Sequence, residues 1–267
     1  MNPLLKYPGS KFRLASWIID KIPYHEVYLE PYFGSGAVLF QKPISRIETI
    51  NDLNLDVVNF FKVIRDNPDE FTRCLRLTPY AREEYERAYI EEAKDDNIER
   101  ARKFAIKCWF GFGASVRYKN GFRTSQQAMS PDTTKQWNNF IEDIYKGTER
   151  LRNCQIESRP ALQLLDMYDT SDVFIYLDPP YVPEVRKKYQ YVHEMPKEDH
   201  VELLEKIIHH PAKILLSGYD TELYRNYLAK WYVCHRTTQA ERGILRQEVL
   251  WSNYNMFTVN SGKGKQI

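Results

Sequence analysis

The chain has 267 residues, enough for one large domain or for a core with one sizeable insertion. Its 43% apolar and 28% charged residues are ordinary for a soluble globular protein. The net charge of only +2 excludes a global field that attracts polyanions, so any basic surface must be local. No apolar run approaches the ~20 residues of a membrane span, and the N-terminus lacks an apolar signal-peptide segment. We therefore expect a cytoplasmic protein without membrane association.

Cysteine and histidine spacing argues against a metal site. The four cysteines, Cys74, Cys108, Cys154 and Cys234, lie outside metal-ligand spacing of one another. The six histidines form no His-Glu-x-x-His pattern. We predict no metal, and we expect reduced thiols, as is usual in the cytosol.

The first 66 residues alternate between strand and helix patterns. Val27–Glu30 is predicted to be a short strand, followed by a glycine-containing turn and a helix that begins over Ala37–Gln41. A second strand is predicted over Arg46–Ile50. Apolar residues then recur at helical spacing from Leu55 to Ile64, and Pro68 ends that helix.

Residues 67–159 differ from both flanking regions. They are helical and charged, as over Arg82–Ala93, and they include a stretch rich in Gly, Ser and Asn from Gly111 to Ser130. Strand signals are absent there. We therefore predict an insertion with its own function at 67–159, and a main domain formed by 1–66 and 160–267.

The last third of the chain returns to alternating strands and helices. Val173–Leu177 is a continuous apolar run, typical of a central parallel strand. The elements predicted after it are a helix over Val201–Ile208, a strand over Lys213–Leu216, a helix over Leu223–Leu228, and strands over Trp231–His235 and Glu248–Tyr254. Strands that alternate with helices indicate an α/β fold with a parallel sheet.

Two features of the first region are typical of a nucleotide-like ligand site. The turn Glu30–Gly36 places glycines between a strand and a predicted helix, where the backbone can approach a ligand closely. A plain tight turn is the alternative. Asp52 follows the second strand, where an acid of a doubly wound fold accepts hydrogen bonds from ribose hydroxyls. Its alternative role is the N-cap of the next helix.

The tetrapeptide Asp178-Pro179-Pro180-Tyr181 ends the central apolar strand. The residue before a proline avoids the helical region, and proline cannot donate to a sheet ladder, so a rigid loop is expected here. It presents a carboxylate, the free Pro179 carbonyl and an aromatic ring at the edge of the sheet where ligands bind. With average residue usage, the tetrapeptide arises by chance about once per thousand chains of this length, which argues against a merely structural loop.

This set of groups suits an exocyclic amine on a nucleobase. Such an amine is a poor nucleophile because its lone pair is delocalised into the ring. The Asp178 carboxylate and the Pro179 carbonyl can each accept one N–H, which localises the lone pair on nitrogen. Tyr181 offers a face for base stacking, worth ~1–3 kcal/mol per base. Because a base inside a duplex cannot reach the loop, it must be flipped out.

At these residues the chain resembles the Dam-like α-class DNA adenine-N6 methyltransferases, over nearly its whole length and in motif order. Leu5–Lys11 is similar to their Lys-x-x-Gly-x-Lys element, and Glu30–Gly36 to their Glu-Pro-Phe-x-Gly-Ser-Gly loop. Asn51-Asp52 resembles their ribose-binding strand end, and Asp178–Tyr181 their Asp-Pro-Pro-Tyr motif. A long insertion between the loop and that motif is the α-class order, in which the insertion recognises the target.

The resemblance implies a Rossmann-like methyltransferase sheet with an inserted, mainly helical target-recognition domain. It implies direct methyl transfer from S-adenosylmethionine to N6 of a flipped adenine in double-stranded DNA. The catalytic residues would be Asp178, Pro179, Pro180 and Tyr181. The cofactor-binding residues would be Tyr7, Lys11, Glu30, Pro31, Phe33, Gly34, Ser35, Gly36, Asp52 and Asp178. Within this set, Tyr7 and Lys11 would hold the methionine end and Asp52 the ribose. The strand over Glu248–Tyr254 is given no catalytic role.

The predicted insertion contains the candidate DNA contacts. Seven basic residues and no acidic ones lie between Arg100 and Pro131, and basic and aromatic residues interleave from Arg117 to Arg123. Such a loop can contact phosphates while a ring or amide probes the bases. We expect Arg117, Lys119 and Arg123 to contact DNA; a solvated surface loop is the alternative.

A second basic segment follows the Asp-Pro-Pro-Tyr motif. The resemblance implies that it closes over the flipped base, with Lys188 and Tyr189 as DNA contacts and Tyr189 or Tyr191 as the stacking ring. A flexible crossover is the alternative. The residues after Phe122 differ from the Asn-Val-Pro-like stretch of GATC methylators, so we assign no target sequence.

Other functions remain open at this stage. The same chemistry serves methyltransferases that act on RNA or on a protein glutamine amide, and an inert DNA-binding protein can retain the fold. The Asp of the motif, the motif order and the basic insertion favour DNA. A cognate restriction endonuclease is a possible partner, and we expect a monomer, which suits the addition of one methyl group per strand.

Overall fold

A seven-stranded sheet organises the chain in the computed structural model, which describes residues 3–90, 92, 94–114, 118–182, 191–239 and 245–259. The strands are β1 (Val27–Glu30), β2 (Ile47–Asn51), β3 (Cys154–Glu157), β4 (Val173–Leu177), β5 (Lys213–Gly218), β6 (Tyr232–Gln239) and β7 (Leu245–Ser252). Their order across the sheet is β3-β2-β1-β4-β5-β7-β6. The first five strands pair in parallel, and β7 runs antiparallel to both β5 and β6. The predicted α/β class with a mostly parallel sheet is confirmed.

Ten α-helices lie within the described residues. They are α1 (Ala15–Ile19), α2 (Leu55–Asp66), α3 (Pro68–Arg76), α4 (Arg82–Arg87), α5 (Asn97–Phe110), α6 (Thr133–Glu142), α7 (Ile144–Leu151), α8 (Ala161–Met167), α9 (Lys197–Ile207) and α10 (Glu222–Tyr227). A short 3-10 turn covers Phe112–Ala114. None of the helices in this part of the chain is both long and apolar enough to cross a membrane.

Strand β4 lies at the centre of the sheet, and all five of its residues are buried. Successive side chains of a strand point to opposite faces. Phe174 and Tyr176 therefore pack into the hydrophobic cluster on one face of the sheet, while Val173, Ile175 and Leu177 pack into the cluster on the other. Burial on both faces explains the continuous apolar run in the sequence, and it fixes where the following loop emerges.

The helices of 67–159 pack onto the sheet through α2 instead of forming a detached unit. Phe60 of α2 is fully buried, and its ring centroid lies 5.9 Å from that of Phe71, 6.0 Å from Phe104 and 6.3 Å from Phe140. These partners belong to α3, α5 and α6, so the helical segment and the sheet domain share one hydrophobic cluster. A recognition function for this segment stays a prediction.

Several sequence predictions differ from the structure. Ala37–Gln41 was expected to begin a helix, but it forms consecutive turns in which Phe40 N donates to Gly36 O. In the described part of the range Arg82–Ala93, the predicted helix is limited to α4, which has six residues. The expectation of no strand in 67–159 is wrong for β3, an edge strand of four residues that pairs with β2. Only its first residue is buried, so it lacks the apolar pattern of a central strand.

Replacing Phe60 by alanine should remove the ring that joins the helical segment to the sheet domain. We expect the free energy of unfolding to fall by about 3–5 kcal/mol, as for other fully buried aromatic side chains. Urea denaturation measures this change. Leu77→Ala is the control, because Leu77 is 70% exposed at the end of α3 and should change the value by no more than about 0.5 kcal/mol. Equal losses in the two variants would contradict a shared core.

Candidate active site

Three strand ends meet at one cavity of about 320 Å³. Glu30 ends β1, Asp52 follows β2 and Asp178 follows β4, so all three acids reach the carboxyl edge of the parallel sheet. The predicted site residues that line the cavity are Tyr7, Lys11, Glu30, Pro31, Phe33, Gly34, Ser35, Asp52, Asp178 and Pro180. Gly36, Pro179 and Tyr181 do not line it. The structure therefore brings together residues that are up to 173 positions apart between Tyr7 and Pro180.

The N-terminal segment folds across this edge of the sheet. The Lys11 side chain is buried, and its Nζ donates to Gly9 O at 3.0 Å. The Ser10 and Ser35 hydroxyls lie 2.8 Å apart, and Asn54 Nδ2 donates to the Tyr7 hydroxyl at 3.3 Å. These contacts fix the segment against the loop after β1 and against the end of β2.

The loop after β1 is fixed by the neighbouring strand end. Asn51 Nδ2 donates to Pro31 O at 2.8 Å, and Phe33 N donates to Asn51 O at 2.9 Å. Gly34 and Gly36 have φ angles of +49° and +66°, a left-handed conformation that disfavours residues with a Cβ atom. The backbone conformation therefore favours glycine at both positions, although no helix follows the loop.

Asp52 connects the two strand ends. Its Oδ2 accepts from Gly34 N at 2.8 Å and its Oδ1 from Asn54 N at 2.8 Å. The alternative role as N-cap is wrong, because Asn54 caps α2 and its side chain accepts from Asp56 N. Burial raises the pKa of Asp52 to about 6, although both backbone N–H groups act to lower it. Each oxygen accepts one hydrogen bond from the backbone and keeps capacity for another.

Asp178 is paired with Lys11, and both residues line the cavity. The Lys11 Nζ to Asp178 Oδ1 distance is 3.0 Å, and the two side chains are 7% and 17% exposed. Burial raises the pKa of Asp178 to about 6, while the Lys11 ammonium acts to lower it. Burial acts to lower the pKa of Lys11, but Asp178 together with Tyr176, Glu248 and Tyr191 outweighs burial, and the pKa is raised. Near neutral pH this pair is therefore charged on both sides.

Glu30 contributes a third carboxyl group with a different charge state. It is buried, and the Tyr28 hydroxyl donates to its Oε2 at 2.8 Å. Burial raises the pKa of Glu30 to about 8. Glu30 is therefore largely protonated near neutral pH and adds little negative charge beside Asp178.

The model of the D12 class N6 adenine-specific DNA methyltransferases matches residues 7–241, which is most of the chain. The chain belongs to this family. The match confirms the resemblance found in the motifs, and it makes the cavity at the carboxyl edge the candidate active site of a methyltransferase that requires a methyl donor and DNA.

Individual relatives of the methyltransferase agree with the family. The DNA adenine methylase of Salmonella typhi is 23% identical over 265 residues, covering 92% of this chain and 91% of its own. That of Escherichia coli strain K12 is 24% identical over 246 residues, covering 85% and 83%. The type II methyltransferase M1.LlaDCHI of Lactococcus lactis subsp. cremoris is 26% identical over 281 residues, covering 95% and 96%.

Among solved structures, precorrin 8W decarboxylase from Methanobacterium thermoautotrophicum matches the methyltransferase with a TM-score of 0.39 and 10% identity. The match covers 92% of this chain and 91% of that one. A similarity this low has no bearing on fold or function.

Sequence reasoning missed Glu248 of β7. The Tyr181 hydroxyl donates to Glu248 Oε2 at 2.8 Å and lies 3.4 Å from the Ser217 hydroxyl. The signal was present in the sequence, because an acidic residue directly precedes the buried run Val249–Trp251.

Other residues that line the cavity were also missed. They come from the start of α8 and from α9, namely Pro160, Ala161, Leu162, Asp199, Glu202 and Leu203. These segments carry no motif, and only the fold brings them to the three strand ends. Within the described residues, no three His, Cys, Asp or Glu side chains form a group that could hold a metal ion.

The predicted DNA contacts are only partly described. Arg117, Lys188 and Tyr189 lie outside the described residues. Lys119 is exposed, and its Nζ pairs with Glu86 of α4. Glu86 precedes the stretch from Arg100 to Pro131, which contains no acidic residue. An exposed pair of this kind contributes only ~0–1 kcal/mol, so it is easily exchanged for another anion.

Arg123 lies in a different environment. Its backbone N donates to Phe110 O at 2.7 Å, and the Tyr80 hydroxyl donates to its carbonyl at 2.8 Å. Its guanidinium donates to Gln136 Oε1 at 3.4 Å, and Lys6 Nζ donates to the same oxygen at 2.6 Å. Burial and the Arg123 charge lower the pKa of Lys6 to about 7. Two basic side chains from distant parts of the chain thus converge on one amide.

A matched pair of glycine variants tests the packing of the loop after β1. A Cβ at Gly36 would lie 2.4 Å from Phe33 Cζ and 2.6 Å from Phe40 Cε2. Gly113 has a similar φ of +71°, but a Cβ there would meet nothing within 4 Å. Gly113→Ala should cost only the left-handed backbone penalty of ~1–2 kcal/mol. Gly36→Ala should cost about 1–3 kcal/mol more, because it also overpacks the core. Urea denaturation compares the two, and equal losses would contradict the loop packing.

Proposed function

We propose that this enzyme transfers a methyl group from S-adenosylmethionine to N6 of an adenine flipped out of double-stranded DNA. The observation that carries the proposal is that the Asp52 and Asp178 carboxylates open into one cavity, in a chain of this family. In this proposal Asp52 receives the ribose of the donor and Asp178 receives the amine. The distance along the chain between them is large, so their shared cavity is a property of the fold.

The residues around the cavity fit the proposed donor. Asp52 keeps acceptor capacity on both oxygens, which suits ribose hydroxyls. The backbone of Gly34 and Ser35 forms part of the wall, and Tyr7 and Phe33 add aromatic surface. Tyr7 and Lys11 would hold the methionine end of the donor. The donor would supply an electrophilic methyl group on sulfur.

The chain's own contribution to the reaction is to hold and polarise the amine. Asp178 Oδ1 is buried and lies 3.0 Å from Lys11 Nζ, and the carboxylate has acceptor capacity beyond this pair for a substrate N–H. The Pro179 carbonyl is the second acceptor. The N6–C bond forms as the C–S bond breaks, and the surplus proton on N6 leaves toward the adjacent Asp178 carboxylate. Positioning and charge localisation are the main sources of rate.

Target recognition belongs to residues 67–159 in this proposal, with Arg117, Lys119 and Arg123 as DNA contacts. Lys188 and Tyr189, in the segment after the Asp-Pro-Pro-Tyr motif, are further proposed DNA contacts. Support comes from the convergence of the Arg123 and Lys6 side chains on Gln136 Oε1, which brings two basic groups together on a nearly neutral protein. Support also comes from the Lys119–Glu86 pair, whose weak surface attraction allows Lys119 to move to a phosphate.

Replacing Asp178 by alanine tests the catalytic assignment. Loss of one of two acceptors for the amine should lower kcat by about 10²–10³-fold, comparable to loss of one polar group that stabilises a transition state. Transfer of labelled methyl from S-adenosylmethionine to plasmid DNA from a methylation-free host measures it. Asp172→Ala is the control, because Asp172 is exposed at the opposite end of β4. Competition with RNA and protein acceptors distinguishes the alternative substrates, and near-normal turnover of Asp178→Ala would reject the role.

The salt dependence of DNA binding tests the Lys119 contact. Each phosphate contact adds about 0.9 to the slope of log K against log salt, so Lys119→Ala should flatten the slope by about one. Lys94→Ala is a matched control, since Lys94 is also an exposed lysine of this region paired with a glutamate, Glu92. Fluorescence anisotropy on a duplex at several salt concentrations gives both slopes. A slope unchanged by Lys119→Ala would remove this residue from the interface.

A further inference from the structure

Glu248 occupies a buried position beside the catalytic loop. It belongs to β7 and is 9% exposed. It pairs with Arg236 of β6 and lies one residue beyond the last β5–β7 pair, Gly218 with Val249. The backbone register therefore places Glu248 at the carboxyl edge of the sheet, on the side of β5 away from β4.

The charge of Glu248 is not explained by a structural ion pair. No ion pair within 4 Å among the described residues includes it, and the guanidinium of its cross-strand neighbour Arg236 lies over the Trp17 ring at 5.7 Å. A buried carboxylate without a cation at contact distance costs free energy. A glutamine would accept the Tyr181 hydrogen bond without that cost, so the charge itself needs a reason.

The Glu248 carboxylate holds the Tyr181 side chain in place. Its hydroxyl is fixed by Glu248 at 2.8 Å and lies near Ser217. Its ring meets Tyr219 edge-on at 4.5 Å between centroids, and Lys11 Nζ lies 4.5 Å from the ring centroid. A hydrogen bond to an ionised acceptor is about twice as strong as a neutral one. The ring next to Asp178 is thereby held in one orientation before any substrate arrives.

Glu248 also acts on Asp178 through space. Burial raises the pKa of Asp178, Lys11 lowers it, and Glu248 raises it. The titratable groups that face Asp178 are Lys11 of the N-terminal segment, Glu30 of β1, Tyr176 of β4, Tyr181 of the following loop, Tyr224 of α10 and Glu248 of β7. With Glu30 largely protonated, the charged members are Lys11, Asp178 and Glu248. Their net charge of about −1 stabilises an amine that becomes cationic as its new bond forms.

We infer that Glu248 is a positioning residue of the methyl-transfer site, which holds the Tyr181 ring through its hydroxyl and offsets the positive charge of Lys11 beside Asp178. The inference rests on the proposed function, because it assumes that Asp178 and Tyr181 meet the base. It goes beyond that function by giving the last strand of the sheet a part in the reaction.

Glu248→Gln tests both effects, since glutamine keeps an acceptor for Tyr181 but removes the charge. We expect kcat at pH 8 to fall about fivefold, the usual difference between a hydrogen bond to a charged group and one to a neutral group. The Asp178 carboxyl should also titrate at lower pH, because the neighbour that raises its pKa is gone. A ¹³C NMR titration of aspartate-labelled protein without donor or DNA measures this, with Asp178→Asn assigning the resonance. Glu222→Gln, an exposed glutamate of α10, is the control and should change neither value.

Tyr181→Phe provides a second route if Glu248→Gln fails to fold. It keeps the ring and removes the donor, so kcat should fall by a similar factor. In the double variant the combined loss should be smaller than the product of the two single losses, because both variants weaken the same Tyr181–Glu248 contact. Normal kcat in Tyr181→Phe, multiplicative losses, or an unmoved Asp178 titration in folded Glu248→Gln would each overturn the inference. Methyl transfer by the wild-type enzyme and its loss in Asp178→Ala test the proposed function separately.

Discussion

The buried ion pair between Lys11 and Asp178 is the contact on which the site depends. It joins the N-terminal segment to the loop after β4, two parts of the chain that no sheet pairing connects. Removing one partner of a buried pair leaves an uncompensated charge at a cost of ~3–5 kcal/mol, so neither residue is free to change alone. The same pair keeps the carboxylate ionised near neutral pH although burial opposes it. The N-terminal segment must therefore be folded against the sheet for Asp178 to serve as an ionised acceptor.

The parallel sheet then determines which groups reach that pair. Glu30, Asp52 and Asp178 are brought together because β1, β2 and β4 all end at the same edge. Their environments nevertheless give them different charge states. Glu30 is held by the Tyr28 hydroxyl and burial raises its pKa to about 8, whereas Asp52 accepts two backbone N–H groups and Asp178 faces an ammonium. One cavity therefore offers a protonated acid and two carboxylates at neighbouring positions.

The sequence predicted the parts of this arrangement that carry local signals. Val173–Leu177 matches β4 because a strand buried on both faces must be apolar throughout, and the Asp-Pro-Pro-Tyr loop follows from proline chemistry. The first strand, α2 and the return to α/β after residue 159 were predicted for similar reasons. Strand β3 was missed because an edge strand with one buried residue has no such pattern. The predicted helix over Ala37–Gln41 was wrong because positive φ at Gly34 and Gly36 turns the chain instead. Glu248 and the Glu86 partner of Lys119 depend on tertiary contacts that local patterns do not encode.

The position of the Phe60 ring limits how an enzyme of this fold can acquire a new target sequence. One aromatic side chain touches three helices of the segment proposed to read DNA and is itself part of the helix that follows β2. Exchanging that segment for one from another methyltransferase would expose an apolar seam or leave a void at its base. New specificity in this fold therefore has to arise on the outer loops, such as that around Lys119, while the inner surface of the helices stays constant.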